Sequence, residues 1–275
     1  VSEVLASDQL SHRSYFDRID LGGEEIEAPG RFALTKQTPL KAASRVSNLG
    51  ANTEEVLAAA RTLPLSEFGD IAPSAPLEGI KVVDFMWSLA GPFTTRALAD
   101  LGATVVKIES IHKPDAARGF LPVWDNEPGL ERSALFDTAN AGKLSLALNM
   151  NRPEALEVIY DLIGWADVLC DSFSPGKMNS WGLSWDKVRE LNPRLIMLST
   201  CLTGQSGPTA NFAGYGNLGA ALSGFYGLAG WPDRAPSGPF GAYTDYTSTH
   251  FMLATLLAAL DKQRRTGSGE DIDLA

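Results

Sequence analysis

Ile80-Lys81-Val82-Val83-Asp84-Phe85, then Ala90-Gly91-Pro92, then Ala103-Thr104-Val105-Val106-Lys107-Ile108 decide the fold. The first stretch predicts a strand. Ala90-Gly91-Pro92 opens a helix, because a proline in the first turn removes only an N–H that has no intrahelical partner. Phe93, Ala97, Leu98 and Leu101 give that helix an apolar face, Gly102 stops it, and the third stretch is a second strand. Further along, a strand at 144–148 precedes a helix from Pro153 to Trp165, and Asp167–Cys170 is again a strand. Ser184 caps the helix Trp185–Leu191, which Asn192-Pro193 ends, and 195–199 is apolar throughout. A Gly-rich region (204–242), a helix from about Tyr246 to Lys262 and a last strand at 271–274 complete the run. Short apolar strands alternating with amphipathic helices predict βαβ units, hence an α/β fold whose parallel sheet carries helices on both faces. There is no internal repeat.

Outward from this core, residues 1–77 have a different texture. A helix is expected over 3–17 with Asp8 capping its later turns, then a turn at Leu21-Gly22-Gly23, and an extended piece ending in Thr38-Pro39. A second helix is opened by Asn52-Thr53-Glu54-Glu55. Residues 66–78 hold two prolines and a glycine without periodicity and read as a linker.

The chain has 275 residues, 23 Lys+Arg against 33 Asp+Glu, and a net charge of −10. That balance argues against nucleic acid as a partner, since such binding needs a basic field to release phosphate counterions. Two cysteines, Cys170 and Cys201, form no disulfide framework and suit a reducing, cytoplasmic setting. No apolar run approaches the roughly 18 residues of a membrane helix, and signal-peptide architecture is missing. Metal is not expected, because no Cys/His cluster has zinc spacing.

In an open α/β sheet, ligands bind beyond the carboxyl ends of the strands, where helix N-termini offer N–H groups. After the first strand comes Met86-Trp87-Ser88-Leu89-Ala90-Gly91-Pro92, which is not the G-x-G-x-x-G pattern; a nicotinamide or flavin is disfavoured. Asp245 stands where the Gly-rich loop meets the long helix, a place where the helix end favours the carboxylate anion. An ionised carboxylate in a nearly dry site can attack an acyl carbon, although Asp at a helix start is also an ordinary cap. Of the histidines, His250 reads as a packing or hydrogen-bonding residue before it reads as a base, and His112 as part of a solvated turn. Trp181 and Trp185 read as core before they read as an adenine platform.

The segments PLEGIKVVDF, AGPFTTRALADLGATVVKIE, DVLCDSFSPGKMNSWGLSWDKVRELNPRLIMLST, TGQSGP and ALDKQRRTGSGEDIDLA resemble the N-terminal part of a class III CoA-transferase (formyl-CoA/carnitine-CoA transferase type, CaiB/BaiF) over roughly 77–275. The resemblance implies a Rossmann-like large domain in an interlocked homodimer or tandem intrachain pair. It implies acyl-CoA and a small carboxylate as substrates, coenzyme A as the group moved, and no tightly bound cofactor. It places the catalytic Asp, which carries a mixed anhydride and then a thioester, on Asp245. The CoA cleft falls on Trp87, Ser88 and Ala90, on Ser172 and Phe173, and on Tyr215.

Several positions depart from the family. Leu89 stands where formyl-CoA transferases carry Gln; Ser110, Ser172 and Ser180 replace Arg, Asn and Arg; and Gly216 follows Tyr215 where an acid is usual. Racemases of the family have their catalytic His where Tyr215 stands, which counts against an acyl-CoA racemase. With family cations gone, Lys107, Lys113, Arg118 and Lys143 are those on hand for the phosphates, and Lys113 and Arg118 are assigned to the CoA site. A non-catalytic structural half of a tandem transferase is the alternative. LASDQLSHRSYFDRI, GRFALTKQTPL and LGANTEEVLAAAR resemble the C-terminal segment of such a transferase, displaced to the front. Together with a start at Val1 and an end at Ala275 inside a strand-like run, this leads to the expectation of a piece of a longer protein. Residues 1–65 are then the tail of one unit, 66–77 a linker, and 78–275 the incomplete large domain of the next.

Overall fold

The structure is a computed structural model and describes residues 2–20, 23–40, 51, 53–62 and 75–275. Most of the expected linker (66–74) and the turn at Leu21-Gly22 lie outside the described residues. In chain order the elements are α1 (Ser2–Leu5), α2 (Asp8–His12), β1 (Phe16–Asp20), β2 (Glu25–Pro29), β3 (Ala33–Thr35), α3 (Thr53–Thr62), β4 (Lys81–Phe85), α4 (Ala90–Asp100), β5 (Thr104–Glu109), α5 (Ala134–Asn140) and β6 (Leu144–Ala147). They continue with α6 (Pro153–Trp165), β7 (Val168–Asp171), α7 (Lys177–Ser180), α8 (Trp185–Leu191), β8 (Ile196–Thr200), α9 (Gly216–Leu222), α10 (Phe225–Leu228), α11 (Tyr243–Thr266) and β9 (Glu270–Leu274).

Seven strands form one sheet in the order β3-β9-β8-β7-β4-β5-β6. Six are parallel, and β3 joins the β9 edge antiparallel. The chain runs from β4 outward through β5 and β6, then restarts on the other side of β4 with β7, β8 and β9. The carboxyl ends of β4 and β7 therefore border the point where the winding reverses, the place where sheets of this kind bind ligands. β1 and β2 make a separate antiparallel hairpin.

Helices cover both faces, as expected. On one face Leu98 of α4 and Met252, Leu256 and Leu260 of α11 pack on Val82, Val105 and Ile196. On the other, Ile159 and Ile163 of α6 and Val188 of α8 pack on Val83, Leu169 and Met197. Each such side chain, once fully buried, contributes about 1.5–3 kcal/mol through loss of apolar surface. The cap read at Ser184 is present: its hydroxyl accepts from Lys187 N.

Three expectations need correction. The helix expected over 3–17 is two short helices and the start of β1, because Ser7, not Asp8, caps α2 and Ser14 turns into left-handed backbone at φ 50°. The long helix starts at Tyr243, so Asp245 lies within its first turn. The Gly-rich region 204–242 contains α9 and α10, and α9 is packed against α11.

Candidate active site at the switch point of the sheet

The turn after β4 is held from below by buried side chains. Asp84, fully buried at the end of β4, accepts from Met86 N (2.8 Å), Thr95 Oγ1 (2.7 Å) and Lys143 Nζ (2.9 Å). Asp115, also buried, accepts from Ser88 N (2.9 Å), Ala117 N (3.0 Å) and Lys107 Nζ (3.0 Å), while Lys107 also donates to Met86 O (2.7 Å). Ser172 Oγ, just past β7, accepts from Trp87 N at 2.7 Å. Three successive N–H groups, at 86, 87 and 88, thus end on side-chain oxygens. Ser88 is held at φ 65°, a conformation that persists in a serine only when its surroundings enforce it.

These contacts join the predicted residues. Trp87 packs edge-on against Phe173 (ring centroids 5.6 Å), Phe173 against Trp181 (5.3 Å), and Lys113 Nζ lies 5.7 Å from the Trp87 ring. Trp181 is part of this packed cluster with Phe85, in keeping with its reading as core. Leu89 is buried. The first N–H groups of α4, at Ala90 and Gly91, have no intrahelical partner and face the crevice end of the sheet.

Asp245 reaches the same corner through α11. One turn on, Thr249 Oγ1 donates to Ala90 O (3.2 Å), and Tyr246 packs on Phe93 of α4 (5.8 Å). Asp245 Oδ2 accepts from Gly216 N (3.0 Å), and Thr244 Oγ1 donates to Gly216 O (3.0 Å). A Cβ on Gly216 would lie 2.5 Å from Asp245 N, so a glycine is required for this approach. Tyr215, the residue before it, is half-exposed and packs edge-on against Phe120 (6.2 Å). Asp245 Oδ1 has no hydrogen-bond partner among the described residues. Burial pushes the Asp245 carboxyl above the usual range, against the pull of the Gly216 N–H.

The cations are distributed differently from the sequence reading. Lys107 and Lys143 are buried and ion-paired, with Asp115 and Asp84 respectively, and support the turn instead of facing a ligand. Arg118 is taken up by Glu109 (2.5 Å) and Glu131 (3.0 Å) and lies on the Phe136 ring. Of the four cations considered, Lys113 alone has no carboxylate partner among the described residues. Burial raises both thiols, Cys170 well up, so neither is an activated nucleophile. His250 and His112 are exposed, and no group of side chains among the described residues has the make-up of a metal site.

Sequence reasoning passed over Asp84, Asp115 and Asp171. The signal was present: Lys107 inside an apolar strand run and Asp84 at a strand end must be partnered when the strands are buried. Asp171 sits fully buried at the end of β7; its Oδ2 accepts from Ser199 Oγ (2.6 Å) and its Oδ1 from Phe173 N (3.1 Å). Desolvation nonetheless raises it to about 6. Because the folded value is above the unfolded one, the native state holds this proton more tightly. Its contribution is full below the unfolded value near 4 and is lost as pH rises through about 6, a change of about 3 kcal/mol. Urea midpoints of the protein, measured against Asp171→Asn, should accordingly fall between pH 4 and 6 and run parallel above pH 7; parallel curves throughout would refute the shift.

Residues 77–275 match the sequence profile of CoA-transferase family III. The succinyl-CoA–L-malate CoA-transferase beta subunit of Chloroflexus aurantiacus is 37% identical over 203 residues, 73% of this chain and 49% of that protein. The mouse succinyl-CoA:glutarate CoA-transferase is 34% identical over 198 residues, 72% of this chain and 44% of that protein. A CaiB/BaiF family protein from Brucella suis has the same fold (TM-score 0.67, 34% identity), covering 74% of this chain and 53% of that one. The chain spans about half the length of these relatives. With the profile matched along the whole α/β body, this chain belongs to CoA-transferase family III.

Proposed function

We propose that the whole protein moves CoA between an acyl-CoA and a small carboxylate, with Asp245 as nucleophile. The observation that carries this reading is the half-buried Asp245 carboxylate, held through Oδ2 by Gly216 and open at Oδ1, on the rim of the switch-point crevice. Oδ1 attacks the thioester carbonyl; the C–S bond breaks, the CoA thiolate leaves, and a mixed anhydride forms. The thiolate then attacks the aspartyl carbonyl, releasing the first carboxylate and leaving an Asp245–CoA thioester. An incoming carboxylate attacks that thioester and expels the thiolate, which takes the new acyl group and frees Asp245. Every step exchanges one acyl bond for another, so the chemistry calls for no redox or metal cofactor. Relatives are named for succinyl-CoA with glutarate or malate, which supports small carboxylates as the substrate class.

Trp87, Ser88, Ala90, Ser172 and Phe173 line the CoA side of the cleft, Lys113 meets a phosphate, and Tyr215 borders Asp245. Arg118, being ion-paired, serves the wall of the site. The resemblance of residues 1–65 to a unit's closing segment supports a chain that holds parts of two units, 66–77 joining them to 78–275. It also supports an interlocked or tandem two-unit assembly; relatives named as alpha and beta subunits are in keeping with two units.

Calorimetric titration of the whole protein with CoA tests the cleft. Saturable binding is expected, and Lys113→Ala should weaken it about tenfold, the loss of one charge-assisted contact. No detectable heat would leave the non-catalytic, structural-half reading in place.

A further inference from the structure

The N-terminal segment does more than lie beside the sheet. Gln9, buried on α2, grips the turn that follows β8 from three directions: Nε2 donates to Thr203 O (2.7 Å) and Ser206 O (2.8 Å), and Oε1 accepts from Thr209 N (2.9 Å). Arg13, one turn on and nearly as buried, donates to Asp273 Oδ2 (2.6 Å) and Asp273 O (3.2 Å) on β9. The turn is shaped to receive them: a Cβ on Gly204 would collide with the Arg13 guanidinium, and one on Gly207 with the Gln9 carboxamide. Asp273 passes the contact inward. Its Oδ1 accepts from Gln205 N (3.0 Å), and Gln205 Nε2 donates to Phe173 O (3.1 Å), the carbonyl of the aromatic residue that packs on Trp87. β3 pairs with β9, while Lys36 and Gln37 engage Asp271 and Glu270, so the segment is fixed at both ends.

We propose that Gln9 and Arg13 are positioning residues: docking of residues 7–20 and 23–37 on the 203–209 turn and β9 sets the Phe173 side of the crevice through Arg13, Asp273 and Gln205. The partner surface is acidic and amide-reading, made of Asp273, Asp271, Glu270 and the carbonyls of 203 and 206, and it fits a segment with Gln and Arg four residues apart followed by a short strand. A tail borrowed from one transferase unit would in this way tune the ligand site of the next. The ligand arm of the inference rests on the CoA-cleft reading; the clasp itself does not.

Hydrogen–deuterium exchange on the full chain reads the clasp without any ligand. Gln9→Ala and Arg13→Ala should each speed exchange at Gln205 and Thr209 by at least about tenfold while β4 and β7 amides keep their rates. Unchanged rates at both amides overturn the clasp. Should either variant unfold, Gln9→Asn and Arg13→Lys take its place, and Arg13→Lys should restore slow exchange at Gln205. CoA affinity of the whole protein then reads the relay. Arg13→Ala should weaken binding, and it should have no further effect in a Gln205→Ala background, whereas losses that simply add would overturn the relay. CoA should in return slow exchange at Gln205, because coupling between two sites is reciprocal. If wild type binds no CoA, the proposed function falls and exchange still decides the clasp.

Discussion

Asp245→Asn should reduce CoA transfer by the whole protein by about four orders of magnitude or more, the scale of loss for a covalent nucleophile. Asparagine keeps the volume of the side chain and its carbonyl still accepts from Gly216 N, so the junction of α9 and α11 is preserved. The amide lacks a nucleophilic oxygen anion, and the first bond to the acyl carbon is not made. Incubating the active protein with acyl-CoA and then hydroxylamine should leave a hydroxamate on the peptide containing Asp245, and the variant should show none. Activity within tenfold of wild type, or a label on another carboxylate, would show that Asp245 is a cap and no more.

The largest effect on stability is expected at Asp84. Asp84→Ala leaves the Lys143 ammonium buried beside Pro92 O and Asn140 Oδ1 without its paired carboxylate, and burial already pushes Lys143 below its usual range. Breaking a buried pair from one side costs about 3–5 kcal/mol. Lys143→Met should cost less, because Asp84 keeps the Thr95 hydroxyl and the Met86 N–H. The pair of changes together should recover part of the loss, since neither charge is then stranded. Urea unfolding of the three variants gives the comparison. A cost for Asp84→Ala below about 1 kcal/mol would mean that the pair is a bystander.

The α/β body was legible because its strands are apolar and its helices carry unmistakable ends: Pro153, Ser184 and Gly102 mark boundaries that the structure keeps. Strand order was not, since periodicity says which residues face a core and nothing about neighbours. Ala33–Thr35 is too short to announce itself; only its pairing with β9 makes it a strand. Gly216, Gly219 and Gly224 weaken any local helix signal over 204–242, and packing of α9 on α11 overrides it. Asp245 looked like an ordinary helix-start acid until the family resemblance singled it out. The fate of the lysines was the chief misreading. Lys107 and Lys143 were weighed as ligand contacts, yet buried strands required their ammonium groups to pair with Asp115 and Asp84. Gln9 and Arg13 gave no warning, because their partners lie about two hundred residues away or more in sequence.

The turn at 86–88, with each N–H tied to a side-chain oxygen and Ser88 held left-handed, also bears on how quickly a ligand can be accepted. A loop that must freeze on arrival charges its lost freedom against affinity; this one has already surrendered that freedom during folding. A ligand that binds there meets a finished contour, and the speed of its capture is set by diffusion and orientation, with no wait for the turn to take shape.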